Sequence, residues 1–96
     1  IRQTEEFSQW LSKLNDKIAK AKILVKIDRL ILGLISDTKS VGEKVSKLRI
    51  NYGPGYRLYY TRKSKTIYIL LLGGDKSSQK RDIKKAQKLA KEIMEN

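Results

Sequence analysis

A Gly-Pro-Gly turn at residues 53–55 lies between two segments in which apolar and polar side chains alternate, and this restricts the fold more than any other feature of the chain. Proline holds φ near the turn value and the flanking glycines accept positive φ, so the chain must reverse here. Ahead of the turn, from Val45 to Tyr52, Leu48, Ile50 and Tyr52 alternate with Lys47, Arg49 and Asn51, the two-residue period of a half-buried strand. Behind it, Tyr56 to Arg62 forms the antiparallel partner, and Lys63-Ser64-Lys65 makes a second reversal. Thr66 to Leu72 is an apolar, β-branched run suited to a central strand covered on both faces. The result is a meander of at least three strands, which Gly73-Gly74 is expected to end.

The flanking segments carry a helical period. Thr4 precedes Glu5 and Glu6 as an N-cap before acids, and Phe7, Trp10, Leu11 and Leu14 then recur at helical spacing, which predicts a helix over 5–14 with Trp10 in the core. Asn15-Asp16 closes that helix and caps a second one, which carries Ile18, Ala21, Val25 and Leu30 up to Gly33. Residues 34–44, with Ser36, Asp37, Thr38, Ser40 and Gly42, lose the period and read as an exposed connecting loop. Ser77 or Ser78 caps a terminal helix whose apolar stripe is Ile83, Ala86, Leu89 or Ala90, Ile93 and Met94, with Lys80, Lys84, Lys85, Lys88 and Lys91 outside it. The fold class is therefore α+β: two N-terminal helices packed on an antiparallel β-sheet, then a C-terminal helix, in one domain over 1–96. The chain begins at Ile1 and not at Met, which leaves room for preceding residues and for a first strand cut short.

Charge narrows the function. Lys and Arg number 22 against 10 Asp and Glu, a formal net charge of +12, which favours a polyanionic partner, nucleic acid before others. With no His and no Cys the chain has neither imidazole acid–base chemistry nor thiol nucleophiles, disulfides or Cys-His zinc sites, and neither a metal nor a cofactor is expected. No stretch approaches the ~20 apolar residues of a membrane span, and a cytoplasmic location is the simple expectation.

Between Lys39 and Lys63 stand seven basic residues, Lys39, Lys44, Lys47, Arg49, Arg57, Arg62 and Lys63, against one acid, Glu43. Strand alternation puts Lys47 and Arg49 on one face, and on the paired strand Arg57 shares a face with Tyr59 and Thr61. Arginine forks grip phosphate, and Tyr52 or Tyr59 offers a plane on which an unstacked base can lie. Lys39, Lys44, Tyr52, Tyr59 and Arg62 are the candidate nucleic-acid contacts; the competing reading is that such residues only keep the sheet face soluble and guard its edges. RNA cleavage without histidine or metal needs a base for the 2′-hydroxyl, stabilisation of the pentacovalent phosphate and help for the leaving 5′-oxygen. A lysine crowded by cations has a lowered pKa and can serve as the base, while arginine stays charged and clamps the phosphoryl oxygens. Gly73-Gly74-Asp75-Lys76 lacks the spacing and the Ser of a P-loop, which excludes nucleoside triphosphate binding by that motif.

The run Lys47-Leu48-Arg49-Ile50-Asn51-Tyr52-Gly53-Pro54-Gly55-Tyr56-Arg57-Leu58-Tyr59-Tyr60, the run from Leu70 to Gln79, the segment Phe7-Ser8-Gln9-Trp10-Leu11 and the stretch Asp82-Ile83 to Ala86 together resemble the HigB-like, phage Gp49-like addiction-module killer proteins of the RelE/ParE superfamily. The resemblance implies a RelE-like fold and toxicity by ribosome-dependent mRNA cleavage. It also implies neutralisation by a cognate antitoxin that carries a helix-turn-helix DNA-binding domain. By similarity to RelE-type toxins, Arg57 matches a phosphate-binding arginine, Lys76 lies where a catalytic arginine is kept and Lys47 falls near a catalytic lysine; with Arg49 these form the candidate catalytic set. The chain departs from the family in Lys47, where many members carry Glu, in Lys44, where they carry Gly, and in Ser40, where they carry Pro. It also lacks any tyrosine after Tyr68.

The resemblance leaves two other functions open. A ParE-like poison of DNA gyrase shares the fold, and a non-catalytic RNA-binding module shares the basic surface. The partners expected on the main reading are the ribosome, mRNA and the antitoxin, with no membrane and no small-molecule cofactor. The antitoxin is expected to cover the basic face or to displace the terminal helix.

Overall fold

The computed structural model describes residues 1–34 and 37–95. The chain runs β1 (Arg2–Gln3), α1 (Glu5–Ser12), α2 (Lys17–Ile31), β2 (Thr38–Gly42), β3 (Val45–Ile50), β4 (Tyr56–Arg62), β5 (Tyr68–Asp75), a 3-10 turn (Lys76–Ser78) and α3 (Gln79–Met94). The expected α+β class holds. The five strands form one sheet in the order β1-β5-β4-β3-β2, antiparallel except for β1, which pairs parallel to β5.

Both N-terminal helices start where the sequence signals a cap. The Thr4 hydroxyl accepts from Phe7 N at 3.0 Å and donates to the Leu71 carbonyl at 2.6 Å, so one side chain caps α1 and ties it to the sheet. The Asp16 carboxylate accepts from Ile18 N and Ala19 N at the start of α2. Both helices pack on one sheet face, where Phe7, Ile23, Ile27, Leu30, Leu48, Ile50, Leu58, Tyr60 and Leu70 form a core, with Trp10 partly buried at its margin. Each fully buried large aliphatic or aromatic group there contributes roughly 1.5–3 kcal/mol.

The opposite face holds a second core of Val45, Tyr59, Ile69, Leu71, Leu72, Ala86 and Ala90 under α3. The molecule is thus layered helix, sheet, helix, and β4 is buried from Arg57 to Thr61. The lysines expected outside the α3 stripe, Lys80, Lys84, Lys85, Lys88 and Lys91, are all exposed.

Beyond the α2 stripe, which keeps Leu30 but buries Ala19, Ile23 and Ile27 while the expected Ile18, Ala21 and Val25 are exposed, two sequence expectations fail. The segment read as a connecting loop contains β2, which pairs with β3 through Thr38↔Leu48, Lys39↔Lys47 and Ser40↔Ser46. As an edge strand it buries almost nothing, so its polar composition hides the pairing; Ser36 lies outside the described residues. The second failure concerns Gly73 and Gly74, which do not end the sheet but continue β5 and are buried. A side chain at Gly73 would overlap the Trp10 ring on one face, and one at Gly74 would overlap the Asp82 carboxylate on the other. The pair is therefore a close-approach site and not a strand terminator. Among the described residues no helix is long and apolar enough to cross a membrane.

Candidate nucleic-acid interface

Register decides which basic residues meet. In the β3–β4 ladder Arg49 pairs with Arg57 and Lys47 with Tyr59, while β2 places Lys39 opposite Lys47. Directly opposed residues share a face, so Lys39, Lys47, Arg49 and Arg57 form one cationic patch at the sheet end that α3 leaves open. Asp37, Thr38, Lys39, Lys47 and Arg49 line a hollow of about 330 Å³ there.

Arg57 is the anchor. Only 9% exposed, it donates from Nε to Gln79 Oε1 at 2.9 Å and from Nη1 to the Gly55 carbonyl. No carboxylate lies within ion-pair reach of it among the described residues. A buried guanidinium without a counter-charge is costly unless an anion arrives, which is the electrostatic signature of an anion site. Arg49 differs: half-exposed, it is clamped by Asp37, with Nη2 to Oδ1 at 3.0 Å and Nε to Oδ1 at 3.2 Å.

Gln79, the first residue of α3, was not among the candidates from sequence. Its Oε1 accepts from Lys47 Nζ at 3.2 Å as well as from Arg57, so a single amide oxygen ties β3, β4 and α3 together at the patch. Burial lowers the pKa of Lys47 most, and the Arg57, Arg49 and Lys39 charges lower it further against a smaller opposing effect of Asp37. Lys76 follows β5 at the rim. A Cβ placed on Gly55, at φ +79°, would stand 2.7 Å from Arg57 Nη1 and 3.5 Å from Lys76 Cβ, so Arg57 and Lys76 converge on that glycine.

Of the remaining candidates, none faces the patch as an open contact. Tyr59 shares the patch's face but is 0% exposed beneath α3, and its hydroxyl has no hydrogen-bond partner. Burial first and Asp82 second push its pKa up to about 12, so it stays a neutral phenol with no face open to a base. Tyr52 belongs to the opposite face, packed against the α1–α2 core with Lys22 Nζ 5.4 Å from its ring centre. Lys44 sits in the β2–β3 turn at the far end of the sheet, near Ala90 and Met94 of α3. Arg62 is spent on the β4–β5 turn, donating to the Ser64 and Lys65 carbonyls and lying over the Tyr68 ring. Among the described residues no group of three or more acidic side chains is placed to hold a metal ion.

Comparison with known proteins agrees with the extent of this architecture. The family described as phage derived protein Gp49-like matches residues 9–95. A Haemophilus influenzae protein described as uncharacterized is 48% identical over 93 residues, which cover 97% of this chain and 94% of that protein. No solved structure matches the chain. With nearly every element inside the matched range, the chain belongs to the Gp49-like family of phage-derived proteins, within the toxin–antitoxin-like group.

Proposed function

We propose that this protein is the toxin of a type II toxin–antitoxin pair and acts as a metal-independent, ribosome-dependent mRNA endoribonuclease. The observation that carries the reading is the buried Arg57 guanidinium, joined to Lys47 through Gln79 and without a carboxylate partner among the described residues. Arg57 binds a phosphoryl oxygen of the scissile linkage and stabilises the charge that grows there in the pentacovalent state. Lys47, whose neutral form burial and its cationic neighbours favour, accepts the 2′-hydroxyl proton as the 2′-oxygen attacks phosphorus. Lys76 gives a proton to the departing 5′-oxygen, which leaves a 2′,3′-cyclic phosphate and a 5′-hydroxyl. Arg49, aligned by Asp37, adds a second positive charge beside the phosphate. In this scheme the ribosome orients the message and supplies base contacts, which agrees with a patch that offers no open tyrosine.

Primer extension on a defined mRNA in a bacterial cell-free translation reaction tests this. New 5′-hydroxyl ends that require both ribosomes and intact Arg57 are expected. An uncut message with inhibited DNA gyrase supercoiling would replace the reading with the gyrase-poison alternative, and tight RNA binding without cuts or toxicity would leave an RNA-binding module.

A further inference from the structure

On the sheet face away from the cationic patch, α2 and the end of β3 enclose a trough of about 710 Å³. Its floor is apolar. Ile18 and Val25 of α2 are 59% and 51% exposed although the helix buries Ala19, Ile23, Ile27 and Leu30, and Ile50, the last residue of β3, closes the sheet side of the trough at 2% exposure. Its rim is cationic: Lys17, Lys22, Lys26 and Arg29 surround the floor, and among the described residues no acidic side chain lines it. From Lys17 to Arg29 the trough follows about three turns, or roughly 18 Å, of helix.

We infer that this trough is the docking site for an amphipathic, acidic α-helix of about three turns, supplied by a partner protein. The chemistry of the walls selects this occupant. Aliphatic side chains at i, i+3 or i+4 and i+7 of the incoming helix cover Ile18, Val25 and Ile50, while carboxylates on its flanks meet the four rim cations. A second copy of this chain would bring the same four cations against themselves, a like-charge contact that opposes association. An anionic bilayer satisfies the rim but is too flat to reach Ile50. Because Ile50 and Arg49 are adjacent in β3 and point to opposite faces, a helix bound here leaves Arg57 and Lys47 uncovered. The inference stands independently of the nuclease reading.

The test uses the full chain and a fluorescein-labelled 14-residue peptide with leucines on one helical stripe and glutamates elsewhere. Controls are a scrambled peptide of equal composition, a lysine-for-glutamate twin, and vesicles of phosphatidylglycerol. The expected result is micromolar binding of the designed peptide, at least tenfold weaker for the scrambled peptide, for V25D and for the K22E/K26E pair, and within twofold of wild type for R57Q. Amide shift changes should cluster on residues 17–29 and 50–51. Equal binding of the scrambled peptide, or loss with R57Q but not with V25D, overturns the proposal. So does tighter, V25D-sensitive binding of vesicles, or V25D-sensitive dimerisation of the protein alone. Val25 and the two lysines are surface residues, and unchanged circular dichroism of the variants excludes misfolding as the cause of lost binding.

Discussion

At the scale of single residues, two side chains under the patch have opposite fates. Tyr59 is buried with an unbonded hydroxyl, and an unsatisfied buried polar group costs about 1–3 kcal/mol. Tyr59→Phe is therefore expected to hold or raise stability by about 1 kcal/mol in urea titration and to leave cleavage intact; a loss of stability would show that the hydroxyl has a partner after all. The same variant reports on linkage. Unfolded tyrosine ionises near its ordinary value while the folded one waits until about 12, so the wild type loses stability across that alkaline window and the variant does not. Lys47 has the reverse sign: the unfolded chain keeps its proton to higher pH than the folded one, so this group adds stability as pH rises toward 10.5. If Lys47 is the base, cleavage rises with pH up to its lowered pKa. Gln79→Glu sets a carboxylate beside it, raises that pKa and moves the rising limb to higher pH, whereas Gln79→Ala removes the shared acceptor and slows cleavage about tenfold with little change in the RNA length cut. An unmoved limb in a single-turnover pH series on Gln79→Glu would remove Lys47 from the base role.

At the scale of elements, the β2–β3 hairpin carries backbone strain in its turn. Its two turn residues, Glu43 and Lys44, have φ of +53° and +65°, the left-handed region that costs an L-residue about 1–2 kcal/mol. Lys44→Gly is expected to stabilise the fold by about 1 kcal/mol and to raise Tm by about 4–8 °C in thermal melts. Because Lys44 stands at the sheet end away from Arg57, RNA binding should be unchanged; weaker binding would return Lys44 to the interface. The strand itself was illegible in the sequence for a related reason. Its residues are mostly exposed, it turns without Asn-Gly, and what holds it is tertiary: the β3 ladder, a bond from Gln87 Nε2 of α3 to the Val41 carbonyl, and one from the Thr38 hydroxyl to the Tyr60 hydroxyl, in which either oxygen can donate. The strands around Gly53-Pro54-Gly55 were legible because turn chemistry and two-residue alternation agree there.

At the scale of the molecule, 22 basic residues give a net charge of +12, and only those gathered at the patch can touch one RNA strand there at once. If Lys39, Arg49, Arg57 and Lys76 each neutralise one phosphate, the affinity for a single strand with a 2′-deoxy scissile site falls with salt at a log–log slope of roughly −3. Arg57→Gln should reduce that slope by about 0.7 in fluorescence anisotropy; a slope near zero would mean that binding does not run through phosphate. Layering sets this limit. With α1 and α2 on one face and α3 on the other, the cations that meet across β2, β3 and β4 stand open at the sheet end beyond α3.

The sequence by itself determined the α+β class, the helices with their Thr4 and Asp16 caps, the β3–β4–β5 meander and the placing of Lys47 with Arg49 on one strand face. These follow from local propensity and period, which act over a few residues. The β3–β4 register brought Arg57 to Lys47 and Arg49. Only the tertiary structure decided that α3 would bury Tyr59, that Gln79 would join Lys47 to Arg57, that Arg62 and Lys44 would lie at the far end, and that Gly73 and Gly74 would stay in the strand to admit Trp10 and Asp82. Each of these depends on contacts between segments distant along the chain, where packing and register, and not the neighbours in sequence, set the outcome.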